Sequence, residues 1–92
     1  MSFSFEISKE LRIILFKLER KDRNLSIAVN KKIKQIIACD ETSIQHFKNL
    51  KGELSDYKRV QVGSFVLVFQ VKRDIIIFRR FVHHDRIYKK RF

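Results

Sequence analysis

The sequence predicts an α+β fold, with an antiparallel two-helix hairpin packed on one face of a mainly antiparallel four-stranded sheet. Three observations predict it. Apolar residues recur with a period of two over 2–7 and 57–82, but at spacings of three and four over 9–38. The turn signals inside 57–82 are two residues long, which suits antiparallel neighbours and not parallel ones. Helices come grouped before the strands rather than alternating with them, which argues α+β over α/β.

The elements follow in order. Phe3, Phe5 and Ile7 oppose Ser2, Ser4 and Glu6, so 2–7 reads as a half-buried strand. Ser8 is placed as an N-cap. Leu11, Ile14, Leu15 and Leu18 then mark an amphipathic helix over Lys9–Lys21. Asp22 to Asn24 is a polar turn. A second helix runs from Leu25 to about Ala38, with Val29, Ile33, Ile36 and Ile37 on its apolar face and Lys31, Lys32 and Lys34 on its wet face. Residues 40–54 are less regular. Thr42 or Ser43 is placed to cap a short turn through Phe47, and Gly52 is free to take a positive φ.

From Tyr57 the period is two. Strands are expected at 57–62, 65–72 and 75–82, joined by Gly63-Ser64, which fits a type II′ turn, and by Arg73-Asp74. Alternation puts Val60 and Val62 opposite Arg59 and Gln61. It puts Ile76, Phe78, Arg80 and Val82 opposite Ile75, Ile77, Arg79 and Phe81. Strand 75–82 is apolar on both faces at its start, so it is expected at the centre of the sheet. The sheet face away from the helices is expected to be open. Residues 85–92 read as a short basic helix or tail.

At 92 residues the chain is expected to be one domain, 1–92, with a modest core. Its net charge of +11 is the strongest compositional fact, and it points to nucleic acid, an anionic surface or an acidic protein partner. The charge is uneven: residues 72–92 hold eight Lys or Arg against two Asp, so they carry +6 of the +11. One cysteine, Cys39, excludes an internal disulfide and fits a reducing compartment. No run is apolar enough to span a bilayer, and Glu6, Lys9 and Glu10 interrupt any signal-peptide pattern. A soluble cytoplasmic protein with no membrane role is expected.

The chemistry concentrates in Phe78-Arg-Arg-Phe-Val-His-His-Asp-Arg-Ile-Tyr88. Arg59, Gln61, Arg79, Arg80, His83, His84, Arg86 and Tyr88 are expected to gather near one end of the sheet. Arg offers phosphate a planar fork that Lys cannot copy, and several Arg around one phosphate stabilise a pentacoordinate transition state. RNA brings its own nucleophile, the 2′-OH, so cutting it needs geometry, a proton acceptor, a proton donor and cations. Histidine suits either proton role near neutral pH, and Tyr88 suits the donor. Composition alone favours a general anion-binding surface over a nuclease. No cofactor and no metal are expected, because adjacent His83 and His84 in a strand point to opposite faces and no second cluster completes a zinc site. His46 reads as a lone surface residue.

These residues resemble the RelE/ParE superfamily of toxins from toxin–antitoxin operons. Leu50-Lys-Gly52 followed by Tyr57-Lys-Arg-Val-Gln-Val-Gly63 is similar to the family's L-x-G and Y-R-I-R-V-G. Phe65 to Phe69 is similar to its Y-R-hydrophobic-hydrophobic-Y strand. Arg80-Phe-Val-His-His-Asp-Arg-Ile-Tyr88 is similar to R-V-G-H-R-x-x-V-Y. The RelE-like branch, by this resemblance, cleaves mRNA in the ribosomal A site and leaves a 2′,3′-cyclic phosphate, and a RelB-like antitoxin neutralises it in a hetero-oligomer. The resemblance implies catalytic roles for Arg59, Arg80, His83, His84 and Tyr88. RNA or phosphate contacts are expected for Lys51, Lys58, Gln61, Arg79, Arg86, Lys89 and Lys90, of which Gln61 falls where the family commonly has a second basic residue. The chain departs from the pattern at Val66 and His84, each where the family usually has Arg, and at neutral Gln61, where a second basic residue is common. Two other readings stay open: a ParE-like toxin acting on DNA gyrase without the nuclease residues, and a nuclease-inactive RNA-binding domain.

Overall fold

The computed structural model describes residues 3–87. The element order is β1 (Ser4–Ile7), α1 (Lys9–Lys21), α2 (Arg23–Ile37), α3 (Glu41–Ile44), β2 (Lys48–Asn49), a 3-10 turn (Gly52–Leu54), β3 (Lys58–Val62), β4 (Phe65–Lys72), β5 (Ile75–His83) and a second 3-10 turn (His84–Arg86). The strands form one sheet in the order β1-β5-β4-β3-β2. β1 runs parallel to β5, and the other pairs are antiparallel. The α+β expectation holds, but with five strands rather than four. The extra strand, β2, is two residues long, too short to show a period. β4 and not β5 takes the central place, and its residues Val66 to Gln70 are all buried.

Ser8 starts α1 as expected. Its Oγ accepts from the Leu11 amide at 3.1 Å and donates to the Arg79 carbonyl at 2.8 Å, so one hydroxyl caps the helix and ties it to β5. Asp22 alone joins α1 to α2. Its amide donates to the Leu18 carbonyl and its carboxylate accepts from the Leu25 amide, so α2 begins at Arg23, earlier than the expected Leu25. Asp40, rather than Thr42 or Ser43, caps α3, with Oδ1 2.7 Å from the Ser43 amide. That bond, chiefly, holds the Asp40 carboxyl below its ordinary value of 3.8.

The main core lies between the helices and the sheet. Leu11, Val29, Ile33 and Ile36 pack against Leu67, Phe69, Ile76, Phe78 and Phe81. Each fully buried side chain of this size contributes about 1.5–3 kcal/mol relative to exposure.

A β-bulge changes the alternation of β5. Val68 pairs with Arg80 and Phe69 with Phe78, so Arg79 has no partner across the ladder. Phe81 therefore joins Ile76 and Phe78 on the helix side, where uninterrupted alternation had placed it opposite them. The other sheet face is not open either. Leu50, Val66, Val68 and Ile87 form a second small core, flanked by Leu54, Tyr57 and Val82. The irregular segment 48–57 and the turn after β5 supply its cover, because their apolar residues are too sparse to form a periodic element but long enough to close over two valines.

Gly63 has φ +62 in the β3–β4 turn, where Val62 pairs with Phe65 and Ser64 stays at negative φ, as a type II′ turn requires. Gly52 has φ +68, also as expected. Arg73 holds φ +57 without being glycine.

Candidate anion-binding and proton-transfer site

The sheet brings two of the expected arginines into one row. Arg59 pairs with Val68, and Val68 pairs with Arg80. Paired residues share a face, so both guanidinium stems rise on the face away from the helices. They stand about 10 Å apart at Cα, two strand spacings of roughly 4.7–4.9 Å. Arg59 is half-buried, and its Nε is buried with no hydrogen-bond partner among the described residues. A buried donor left unpaired costs about 1–3 kcal/mol, so such a group invites an anion or water. Arg80 is held by Glu10 at the start of α1, with Nη1 2.9 Å from Oε1. Glu10 is half-exposed, so the pair is worth at most about 1 kcal/mol and serves mainly to aim Arg80.

β1 ends opposite Phe78, so among the described residues no strand pairs with β5 on that side from Arg79 onward, and Ser8 Oγ holds the Arg79 carbonyl instead. Ser8, Glu10, Tyr57, Arg79 and Arg80 line a pocket of about 220 Å³ there. Arg79 Nε donates to Gln70 Oε1 at 2.9 Å, which satisfies a buried amide next to the bulge.

The histidines stand apart from this row, at the end of β5. His83 pairs with Phe65 and meets its ring edge-on at 5.5 Å, so it leans to the helix side. His84 begins the 3-10 turn. Its amide and its Nδ1 both lie 3.0 Å from the Ser64 carbonyl in the β3–β4 turn. The strand ends at His83, so the two rings do not diverge as strand neighbours would; they stack with centroids 4.5 Å apart. Asp85 joins them. His84 Nε2 lies 3.0 Å from its Oδ1, and the Asp85 amide donates to His83 Nδ1 at 3.2 Å. The expectation that His83 and His84 face opposite ways is therefore corrected. Arg86, exposed, lines a groove with Phe65, Phe81, His83 and Asp85.

The remaining expected residues divide. Gln61 is exposed on the Arg59 face but turns its Nε2 to the Gly63 carbonyl at 2.9 Å. Lys51 is exposed on the segment that covers the second core. Lys58 is 8% exposed, and its ammonium donates to the Phe47 carbonyl at 3.3 Å and to Asn49 Oδ1 at 2.9 Å. It pins β2 to the sheet from the helix side, since it shares the parity of Val60 and Val62. Tyr88, Lys89 and Lys90 lie outside the described residues. Sequence reasoning missed Glu10, which is seventy positions from Arg80 and gives no local signal. It also missed Lys48, the register partner of Arg59, because β2 is too short to read. Asp85 could have been found, standing beside both histidines.

No protein-family model matches the chain. A protein of Methanocaldococcus jannaschii named as a candidate toxin, RelE4, is 41% identical over 97% of this chain and 94% of its own length. The chain belongs to the RelE toxin family. Solved structures agree in fold. The YoeB–YefM complex of Staphylococcus aureus superposes with a TM-score of 0.70 at 15% identity, covering 91% of this chain and 99% of that one. The Escherichia coli DinJ–YafQ toxin–antitoxin complex does so with a TM-score of 0.65 at 16% identity, covering 96% and 99%.

Within that family the departure at Val66 has a structural account. Val66 is 3% exposed and packs with Leu50, Val68 and Ile87. An arginine there would have to displace this cover, so an apolar plug occupies the sheet where a further cation was expected.

Proposed function

We propose that this toxin is a ribosome-dependent mRNA endonuclease that needs no metal and cuts mRNA in the A site. The observation that carries the reading is the Arg59–Val68–Arg80 row, in which Arg59 Nε is buried without a partner among the described residues. In the proposed reaction the 2′-OH attacks the adjacent phosphorus. The O2′–P bond forms and the P–O5′ bond breaks, leaving a 2′,3′-cyclic phosphate and a 5′-OH. Arg59 and Arg80 stabilise the charge that grows on the phosphoryl oxygens. The 2′-OH proton passes to an acceptor and the 5′ oxygen takes one from a donor. His83 Nδ1 accepts from the Asp85 amide, so it takes the acceptor role only once that bond is released and its ring swings round the end of β5 to the arginine row. His84, whose ring nitrogens both face oxygen acceptors, suits the donor role. Tyr88 positions the substrate or donates, and Arg79, Arg86, Lys51, Gln61, Lys89 and Lys90 extend the RNA track. Lys58 is left out, because its ammonium is already bonded inside the fold.

A RelB-like antitoxin, in a cytoplasmic hetero-oligomer, meets the positive surface with acidic residues and folds as it binds. The DinJ–YafQ complex supports such a partner. No helix among the described residues is long and apolar enough to cross a membrane.

A second reading, a gyrase-directed toxin without nuclease activity, draws on Val66, where the plug replaces a cation. Induced expression in cells separates the two. The nuclease reading expects growth arrest with truncated mRNA, relieved by Arg59→Ala or His84→Ala in proteins that remain folded. DNA damage with intact mRNA, or full toxicity in both variants, favours the second.

A further inference from the structure

The turn that ends β5 gathers groups suited to another chemistry. We propose that His83, His84 and Asp85 bind a divalent transition-metal ion, Cu²⁺ most tightly, and that the ion blocks the proton transfer assigned above to the histidines. The blocking clause rests on the nuclease reading, whereas the binding clause does not.

Distances carry the first argument. Ligand atoms about 2.1 Å from one metal lie about 3.0 Å apart at a right angle and about 3.4 Å at the tetrahedral angle. His84 Nε2 and Asp85 Oδ1 are 3.0 Å apart, and His83 Nδ1 and Asp85 Oδ2 are 3.5 Å apart. Each residue offers a ligand atom within 4.8 Å of the others.

Tautomers carry the second. The Ser64 carbonyl accepts from His84 Nδ1–H, the arrangement that orients metal-binding histidines through their other nitrogen. Neutral His84 then has its Nε2 lone pair facing a carboxylate oxygen across 3.0 Å. Two lone pairs so close need a proton or a cation between them, and a metal ion can replace the proton. His83 Nδ1 is also unprotonated, since it accepts from the Asp85 amide, and a metal would take over that lone pair.

Surroundings decide the kind of ion. Two imidazoles and a carboxylate leave coordination positions to water, because the side chains are 38%, 52% and 69% exposed. An N,N,O set with open positions suits Cu²⁺ or Ni²⁺, and the Irving–Williams order puts Cu²⁺ first. The rings tilt by 29°, so one must turn about χ2 before both planes lead to the ion, and their exposure leaves room. Neighbouring Arg86 and the +11 charge oppose a cation, so hard ions such as Mg²⁺, which give nitrogen donors little, do not compete.

The test is a titration of the full chain with glycine-buffered Cu²⁺, followed by calorimetry and electron paramagnetic resonance. It is repeated in Cys39→Ser to remove the thiol as a ligand. One ion per chain with nitrogen hyperfine structure from two imidazoles is expected. His83→Ala, His84→Ala and Asp85→Asn should each weaken binding at least tenfold, and His46→Ala should not. Absence of saturable binding, or variants that bind like the wild type, overturns the site. In a ribosome cleavage assay, saturating Zn²⁺ should stop cutting and a chelator that spares Mg²⁺ should restore it. Unchanged cutting with the site filled overturns the block. A protein that binds Cu²⁺ through these residues but never cuts RNA keeps the metal site and loses the nuclease reading.

Discussion

Arg59 Nε, buried without a partner among the described residues, is the least satisfied polar group described on this face. Its substitution should therefore cost rate more than stability. Arg59→Ala is expected to lower single-turnover cleavage about 10²–10³-fold with an unchanged circular dichroism spectrum. Arg59→Lys should recover only part of this, because an ammonium cannot form the two-pronged contact. Equal rates for the three proteins would remove Arg59 from the site. Arg73 makes a different case. Its φ of +57 strains a side chain that contributes nothing visible to the turn. Arg73→Gly should raise unfolding free energy by about 1 kcal/mol in a urea melt. Arg59, Ser8, Gly52 and Gly63 were legible in the sequence because alternation, capping and turn chemistry are local. Lys58 was legible in principle, since it shares the parity of Val60 and Val62. Glu10 was not, because only the folded chain brings it to Arg80.

The helices and strands were placed by periodicity nearly to the residue, and the failures have a common cause. β2 is only one period long, so no repeat shows, and the bulge at Arg79 resets the alternation of β5 without any glycine to announce it. Both change which side chains share a face, so the candidate site was less legible than the fold. Two contacts test this layout. Ser8 caps α1 and holds the carbonyl of the bulged residue, so Ser8→Ala should cost about 1–2 kcal/mol in denaturant melts. It should also slow cleavage by loosening Arg79 and Arg80; a stability loss without a rate change would confine Ser8 to a structural role. Ile87 is 7% exposed over Val66, and Ile87→Ala should cost about 2–4 kcal/mol if the second core is as described. A cost below about 0.5 kcal/mol, the range of surface changes, would mean that this face is open after all. At α3 the Asp40 carboxyl is held low, so its cap stabilises the turn above pH 3.8 and the benefit is lost as the pH falls through the lowered value. Asp40→Asn should remove that acid-side dependence from hydrogen exchange in 41–47.

Across the whole molecule, a net charge of +11 on 92 residues sets how the protein meets polyanions. Binding to a short 2′-O-methyl RNA, which cannot be cut for want of a free 2′-OH, should weaken steeply with salt. Each phosphate contact adds about −0.7 to the slope of log affinity against log salt. A slope near zero would contradict the basic track. The antitoxin complex should likewise loosen in salt if acidic residues cover the arginines. Charge, however, explains attraction and not cutting. Cutting is read by primer extension on mRNA incubated with the purified protein, once on programmed ribosomes and once naked. Cuts confined to the A-site codon of ribosome-bound mRNA, and lost in Arg59→Ala, are the predicted result. Intact mRNA in both samples would contradict the nuclease account and leave the Arg59–Arg80 row as an anion site that binds without cleaving.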